Sequence, residues 1–232
     1  MSKNKSYYEI KLASQKLRKV YDSAPSRIKQ YLEAEIEYVL QNLKDSDRVL
    51  ELGCGYGRVL GRLAEKSGFL LGIDLSLTSL KDAQKDLTSY ESCFIACMNA
   101  GSLGLKEKIF DAVVCIQNGI SAFHLNPKKL LKQALRATAP GGKLFFSSYS
   151  PRFWKERLEW FHFQSELGLI GEIDEKKTGD GIIVCKDGFK AVTFTEDDFS
   201  KLAAFFDLTP QFQEIDGSSL FCEIKVPDSF WI

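Results

Sequence analysis

The chain has 232 residues, of which 44% are hydrophobic, and its 31 Lys plus Arg balance 31 Asp plus Glu. That is enough for one well-buried α/β domain, the lack of a dense basic run disfavours a nucleic-acid partner, and apolar runs no longer than a strand exclude a membrane-spanning helix. Six scattered cysteines without a C-x-x-C pair, beside two histidines, disfavour a zinc cluster and suit a reducing cytoplasm.

The N-terminus, Met1 to Lys5, is polar and leads into no signal-peptide apolar core. Tyr7 to Tyr21 reads as a first helix with Ile10, Leu12, Leu17 and Val20 at its apolar positions, and Ser23-Ala24-Pro25 breaks it. Ser26 can cap a second helix in which Ile28, Tyr31, Leu32, Ile36, Val39, Leu40 and Leu43 share a stripe. Glu35 is the one polar member of that stripe and is expected at its edge.

Val49-Leu50-Glu51-Leu52 then reads as a buried parallel strand, and Val59, Leu60, Leu63 and Ala64 recur at helical spacing. Between them, Gly53, Gly55 and Gly57 allow a sharp turn and the close approach of a ligand to the backbone. The N–H groups and positive end of the following helix favour a negative group there. A dinucleotide fingerprint needs G-x-G-x-x-G, but its third glycine position falls on Arg58 counting from Gly53 and on Leu60 counting from Gly55. An acid, Glu51, also stands two residues before the first glycine. Glu51-Leu52-Gly53-Cys54-Gly55-Tyr56-Gly57 resembles the E/D-x-G-x-G-x-G motif of class I S-adenosylmethionine (SAM)-dependent methyltransferases. A structural turn in another α/β domain is the plainer reading of the glycines alone.

Phe69-Leu70-Leu71-Gly72-Ile73 is a second buried strand ending at Asp74, followed by a helix from Leu77 to about Leu87. An acid at this tip can accept both ribose hydroxyls of an adenosine; the alternative is a helix N-cap. Cys93 to Cys97 is the third strand, ending in Met98-Asn99-Ala100-Gly101, and Phe110 to Ile116 is the fourth, leaving Gln117-Asn118-Gly119-Ile120-Ser121 at its tip. Pro127 opens a helix through about Thr138, Ala139-Pro140-Gly141-Gly142 ends it, and Lys143 to Ser147 is the fifth strand. Pro151 to Leu167 carries Phe153, Trp154, Trp160, Phe161 and Phe163, as either a cap on a substrate pocket or a core helix. A hairpin follows, Ile182 to Cys185 and Phe189 to Phe194 about Lys186-Asp187-Gly188. Thr195-Glu196-Asp197-Asp198 resembles a capping box, with Asp198 at N3, for a helix through Phe206. Strands Gln211 to Ile215 and Leu220 to Val226 close the chain about Asp216-Gly217.

The resemblance implies a single α/β domain over 1–232, a Rossmann-like seven-stranded sheet of order 3-2-1-4-5-7-6 with its last strand antiparallel and helices on both faces. Residues 1–46 would form a helical cap and 151–194 a lid helix and hairpin insertion. It implies SAM as cofactor, S-adenosylhomocysteine (SAH) as product, no metal, and contacts from Glu51, Gly53, Cys54, Gly55, Gly57, Asp74, Leu75, Asn99, Ala100, Gln117 and Asn118. Asn99 stands where many relatives have Asp. Tyr21 and Arg27 are candidate lid contacts, with ordinary packing as the alternative. The chain lacks [D/N]-P-P-[Y/F/W], a Pro-Cys nucleophile and a paired-glutamate loop. A small-molecule acceptor therefore leads, ahead of an RNA or protein methyltransferase and of a non-catalytic SAM-binding protein, acting as monomer or homodimer in the cytoplasm. His124 is the better placed candidate base and His162 the second, each with a structural role as the alternative.

Overall fold

Alternating apolar residues in each central strand build this molecule, because they give the sheet two faces to cover. The computed structural model describes residues 7–229, so the Met1–Lys5 segment lies outside the described residues. Five strands, β1 (Arg48–Leu52), β2 (Phe69–Asp74), β3 (Cys93–Cys97), β4 (Phe110–Cys115) and β5 (Thr138–Tyr149), run parallel. Strands β6 (Ile182–Val184) and β7 (Lys190–Val192) form a separate hairpin, and β8 (Gln211–Ile215) and β9 (Ser219–Lys225) complete the main sheet. Its order is β3-β2-β1-β4-β5-β9-β8, with β9 antiparallel to both neighbours. Leaving out the inserted hairpin, this is the expected 3-2-1-4-5-7-6 arrangement.

Period-two alternation divides the core. Leu50, Leu52, Val113, Cys115, Leu144 and Phe146 face α7 (Pro127–Ala137) and α9 (Glu196–Ala204). Val49, Leu70, Ala112, Val114, Phe145 and Phe221 face α3 (Ser26–Asn42), α4 (Arg58–Leu63) and α5 (Leu77–Asp86). Glu51 shares the second face, by parity with Val49. A third apolar cluster joins α2 (Gln15–Asp22), the start of α3, the aromatic α8 (Trp154–Glu166) and the hairpin. Trp160 and Phe161 are thus core residues of this upper layer rather than of the sheet. The short α1 (Tyr7–Ile10) is clamped to the hairpin turn, where the Tyr7 hydroxyl donates to Asp187 at 2.7 Å and Lys11 Nζ donates to the Asp187 carbonyl at 2.9 Å.

Several local expectations need correction. The first helix is two, interrupted where Ser14 takes φ 53° and its N–H donates to Ser79 Oγ at 2.9 Å. Tertiary bonds to α5 outcompete helix continuation there, which turns Leu12 inward and leaves Ile10 exposed. Pro25, not Ser26, is the N-cap residue of α3. The Ala139-Pro140-Gly141-Gly142 turn is a wide irregularity inside β5: Thr138 pairs with Phe110 but Lys143 already pairs with Ala112. The capping box is present as expected, with the Asp198 N–H donating to Thr195 Oγ1 and the Thr195 N–H to Asp198 Oδ2.

Candidate functional site

The carboxyl ends of β1, β2 and β4 open into a cavity with an empty volume of about 1090 Å³ including its mouth. The turn after β1 forms its floor. Gly53, Gly55 and Gly57 all take positive φ, at 80°, 54° and 87°. A Cβ on Gly57 would lie 3.1 Å from the Ala83 methyl, and one on Gly53 would lie 3.0 Å from the Phe123 ring. Both conformation and space therefore require glycine. The Gly53 and Cys54 N–H groups donate to the Ile73 carbonyl at 2.8 and 3.0 Å, fastening the turn to the end of β2. Asp74 fastens it again, accepting from the Gly55 N–H at 3.0 Å and from the Ser76 N–H at 2.7 Å. Ser76, not Asp74, caps α5, so the N-cap alternative for Asp74 is excluded.

Two buried polar atoms at this floor lack hydrogen-bond partners: Glu51 Oε2 and Arg58 Nε. Burial pushes the Glu51 carboxyl up to about 8, against the opposing pull of the Arg58 charge. The Arg58 guanidinium stacks 4.4 Å over the Tyr21 ring and donates to Gln117 Oε1. Tyr21, Arg58 and Gln117 thereby connect α2, α4 and the tip of β4 around one opening.

That tip is held by a group placed at a helix edge by sequence reasoning. Glu35 is completely buried, because α3 lies over Ser147 and Ser219, two small residues that continue the face of Phe145 and Phe221. Its carboxyl accepts from Ser147 Oγ at 2.6 Å, from Ser219 Oγ and from the Gln117 N–H at 2.6 Å. Burial raises this carboxyl to about 7, opposed by those hydrogen bonds. Gln117 and Asn118 both take left-handed conformations, φ 57° and 58°, which non-glycine residues rarely adopt. Glu35 fixes the first of that pair.

Beyond Gln117 lies a second, smaller chamber. It shares Tyr8, Leu12, Leu17, Tyr21 and Gln117 with the first and is walled by Tyr31, Tyr149, Trp160, Phe161, Gln164 and Phe189.

A family profile described as a methyltransferase domain matches residues 50–146, the span from β1 to β5 that builds the turn, Asp74 and the Gln117 tip. Over that span the chain resembles the SAM-dependent methyltransferases. Over 104 residues it is 34% identical to the ubiquinone biosynthesis O-methyltransferase of Idiomarina loihiensis, covering 44% of this chain and 42% of that protein. The PH0226 protein from Pyrococcus horikoshii OT3 superposes with TM-score 0.68 at 19% identity, over 92% of this chain and 100% of that one. The N-methyltransferase NodS from Bradyrhizobium japonicum WM9, solved with SAH, superposes with TM-score 0.61 at 17% identity, over 94% and 95% of the two chains. The two structural likenesses are of fold. The chain spans about half the length of the curated relatives it matches, 42% and 56% for two of them.

The structure brings together Glu51, Gly53, Cys54, Gly55, Asp74, Leu75, Gln117 and Tyr21, all of which line the larger cavity. Gly57 lies one step behind, as the left-handed residue that starts α4. Other expected residues are elsewhere. Arg27 faces away, its Nη1 donating to Asp216 at 2.5 Å and its guanidinium stacked 4.6 Å over Phe153. Asn118 turns to Ser148, accepting its hydroxyl at 2.9 Å. Asn99 is spent on the Gly101 N–H at 2.8 Å and Ala100 packs into the core, so Met98 lines the cavity instead. His124, at φ 49°, lies outside the cavity while its neighbour Phe123 enters it; burial and the Lys190 charge hold its imidazole below the usual range. His162 faces Glu175 at 3.6 Å on the outer side of α8. Missed by sequence reasoning were Arg58, Phe123, Met98 and Glu35. Arg58 and Glu35 had a readable signal, a charge inside an apolar helical pattern; the other two look like any core residue.

Proposed function

We propose that this protein binds SAM in the larger cavity and transfers its methyl group to a small-molecule acceptor entering from the second chamber. The fit of the cofactor rests on the cavity floor: a cradle that any Cβ would obstruct, beside an unpartnered buried carboxylate oxygen and an unpartnered guanidinium nitrogen. Glu51 suits a ligand cation and Arg58 a ligand carboxylate, the two charges of an amino-acid end. Asp74 supplies acceptor oxygens for ribose hydroxyls, and Leu75 and Met98 supply apolar contact for the adenine. Bound SAM supplies a methyl group already activated by sulfonium charge, for in-line displacement that leaves SAH.

The chain's own share is alignment and exclusion of water, and a well-oriented pair gains roughly 7–11 kcal/mol of effective concentration. Gln117, held from behind by Glu35 and from the side by Arg58, sets the wall between cofactor and acceptor. Residues 7–32 act with the 151–194 segment as one cap, because their side chains share the apolar cluster above the sheet, whereas Ile36, Val39 and Leu43 pack on the sheet face. His124 has no access to the transfer from its position. All six cysteines are free thiols, which suits a reducing compartment and supports a cytoplasmic site of action.

The observation that carries this reading is the unpartnered Glu51 oxygen at the floor of the glycine cradle. Calorimetric titration of SAM, SAH and NAD into wild type and Asp74→Ala tests it. Binding of the first two, weakened at least tenfold by the substitution, is the expected result. Tight NAD binding, or SAM binding indifferent to Asp74, would sink it.

A further inference from the structure

The second chamber carries an unusual set of polar atoms. Trp160 and Gln164, one helical turn apart on α8, both line it and are 5% and 3% exposed. Trp160 Nε1 and Gln164 Nε2 are buried without any acceptor. Both are donors, and an indole nitrogen can be nothing else. The Tyr31 hydroxyl, also in the wall, is buried against Glu35 and Tyr149 and is engaged by them. Buried donors normally find an acceptor, so two left open one helical turn apart in one small space point to something that enters it.

Charge points the same way. Arg157, on the same helix, is fully buried. It donates only to neutral oxygens: Gly181 O at 3.0 Å, Thr193 Oγ1 at 2.5 Å and Ala191 O at 3.3 Å, while its Nε is unpartnered. Among the described residues no carboxylate pairs with it. Its guanidinium lies 4.2 Å over the Tyr149 ring and 5.7 Å from the centre of Phe161, two walls of the chamber. A buried cation lacking a carboxylate partner, behind a wall that carries two unused donors, makes this end of the chamber attractive to an anion.

Size limits what can enter. The chamber's empty volume is about 410 Å³, against about 1090 Å³ for the cofactor cavity. It has room for one end of an acceptor, with the rest of the molecule lying along Tyr8, Tyr21 and Gln117 toward the cofactor.

We infer that the methyl acceptor is a carboxylate-bearing small molecule with a planar or apolar body, whose carboxylate is held in the inner chamber by Trp160 Nε1–H and Gln164 Nε2–H within the field of Arg157. The carboxylate is the anchor, not the atom methylated. This rests on the proposed function for the position of the reacting methyl group; the anion preference rests on α8 alone.

The test uses acid and amide pairs of equal shape: benzoate and benzamide, 3-phenylpropionate and its amide, indole-3-acetate and its amide. Each is titrated calorimetrically into SAH-saturated protein, after the SAH affinity itself has been measured. At least one carboxylate should bind tenfold or more tighter than its amide. Trp160→Phe, which keeps an aromatic ring in the wall, and Gln164→Met, which keeps the chain length, lose one donor each and should each weaken that carboxylate about tenfold while leaving the SAH Kd within twofold. Amides equal to acids in every pair, no binding by any probe, or indifference to both substitutions would overturn the inference and assign the open donors to trapped water. Absence of SAH binding would sink the cofactor reading and this one with it; SAH binding without carboxylate preference sinks this one alone.

Discussion

Glu51 shows how much one side chain's surroundings decide. Its parity on β1 sends it to the same face as Val49, where burial pushes its carboxyl up to about 8. Near neutrality the empty site therefore holds it mainly protonated, and a cationic ligand restores the ionised form. Since the ionised carboxylate is the form that attracts the cation, SAM affinity should rise as pH increases toward about 8 and level off above it. The slope is at most about tenfold per pH unit for a single proton. Titrations at pH 7 in buffers of different ionisation enthalpy should reveal a proton released on binding, and Glu51→Gln should abolish both the release and the pH dependence. A SAM affinity that is flat from pH 6 to 8 in wild type would contradict this. Nothing in the local sequence indicates such a shift, since the same acid at an exposed strand end would titrate normally.

At the scale of elements, the tip of β4 depends on α3 through Glu35. This carboxyl is raised to about 7 and so holds its proton more tightly in the folded chain than in the unfolded one, where it titrates near 4.5. Its contribution is fully present below the unfolded value and is lost as pH rises through about 7. A difference of this size corresponds to about 3 kcal/mol. The melting temperature should therefore fall between pH 5 and pH 8, and Glu35→Gln should remove much of that slope, leaving the part due to Glu51. Glu35→Ala should cost about 2–3 kcal/mol by stranding the Ser147 and Ser219 hydroxyls and the Gln117 N–H. Denaturant titration at pH 6 checks it, with transfer activity falling alongside as the left-handed Gln117 loses its anchor. Strands, by contrast, were legible at this scale almost residue for residue. Val49–Leu52, Phe69–Asp74 and Cys93–Cys97 announce themselves by short apolar runs ending in turn residues, and local sterics suffice to form them. The break at Ser14 was not legible, because its cause is a hydrogen bond to Ser79, which lies 65 positions away along the chain.

Across the whole molecule, the sheet and its flanking helices form one body, and α1, α2, α8 and the hairpin form an apolar layer over the site. The layer is fastened at its edge by the Asp187 contacts with Tyr7 and Lys11, side chains 30–45% exposed on the ion-paired atoms' residues. An exposed pair of this kind contributes little, on the order of 0–1 kcal/mol, so the layer should open more readily than the sheet. Hydrogen exchange should be faster over residues 7–22 than over β1 and β4, and SAH should slow it at 7–22, where Tyr8, Leu12, Leu17 and Tyr21 line the cavity. Equal protection of both regions with and without SAH would contradict a moving cap.

By itself the sequence determined the order of strands and helices, the glycine turn that no other residue can occupy, and the acids Glu51 and Asp74 beside it. These are consequences of neighbours in the chain: alternation, helical spacing and backbone conformations open only to glycine. Tertiary structure alone decided which polar groups reach the cavity. Arg27, Asn99, Asn118 and His124 carry suitable chemistry at suitable places in the chain, yet each is claimed by another contact or turned outward. Glu35, Trp160 and Gln164 look like helix residues of no special kind until packing buries them. The physical reason is that burial and hydrogen-bond partnership depend on distant segments meeting, and the energy of a polar group is set by that meeting rather than by its place in the chain.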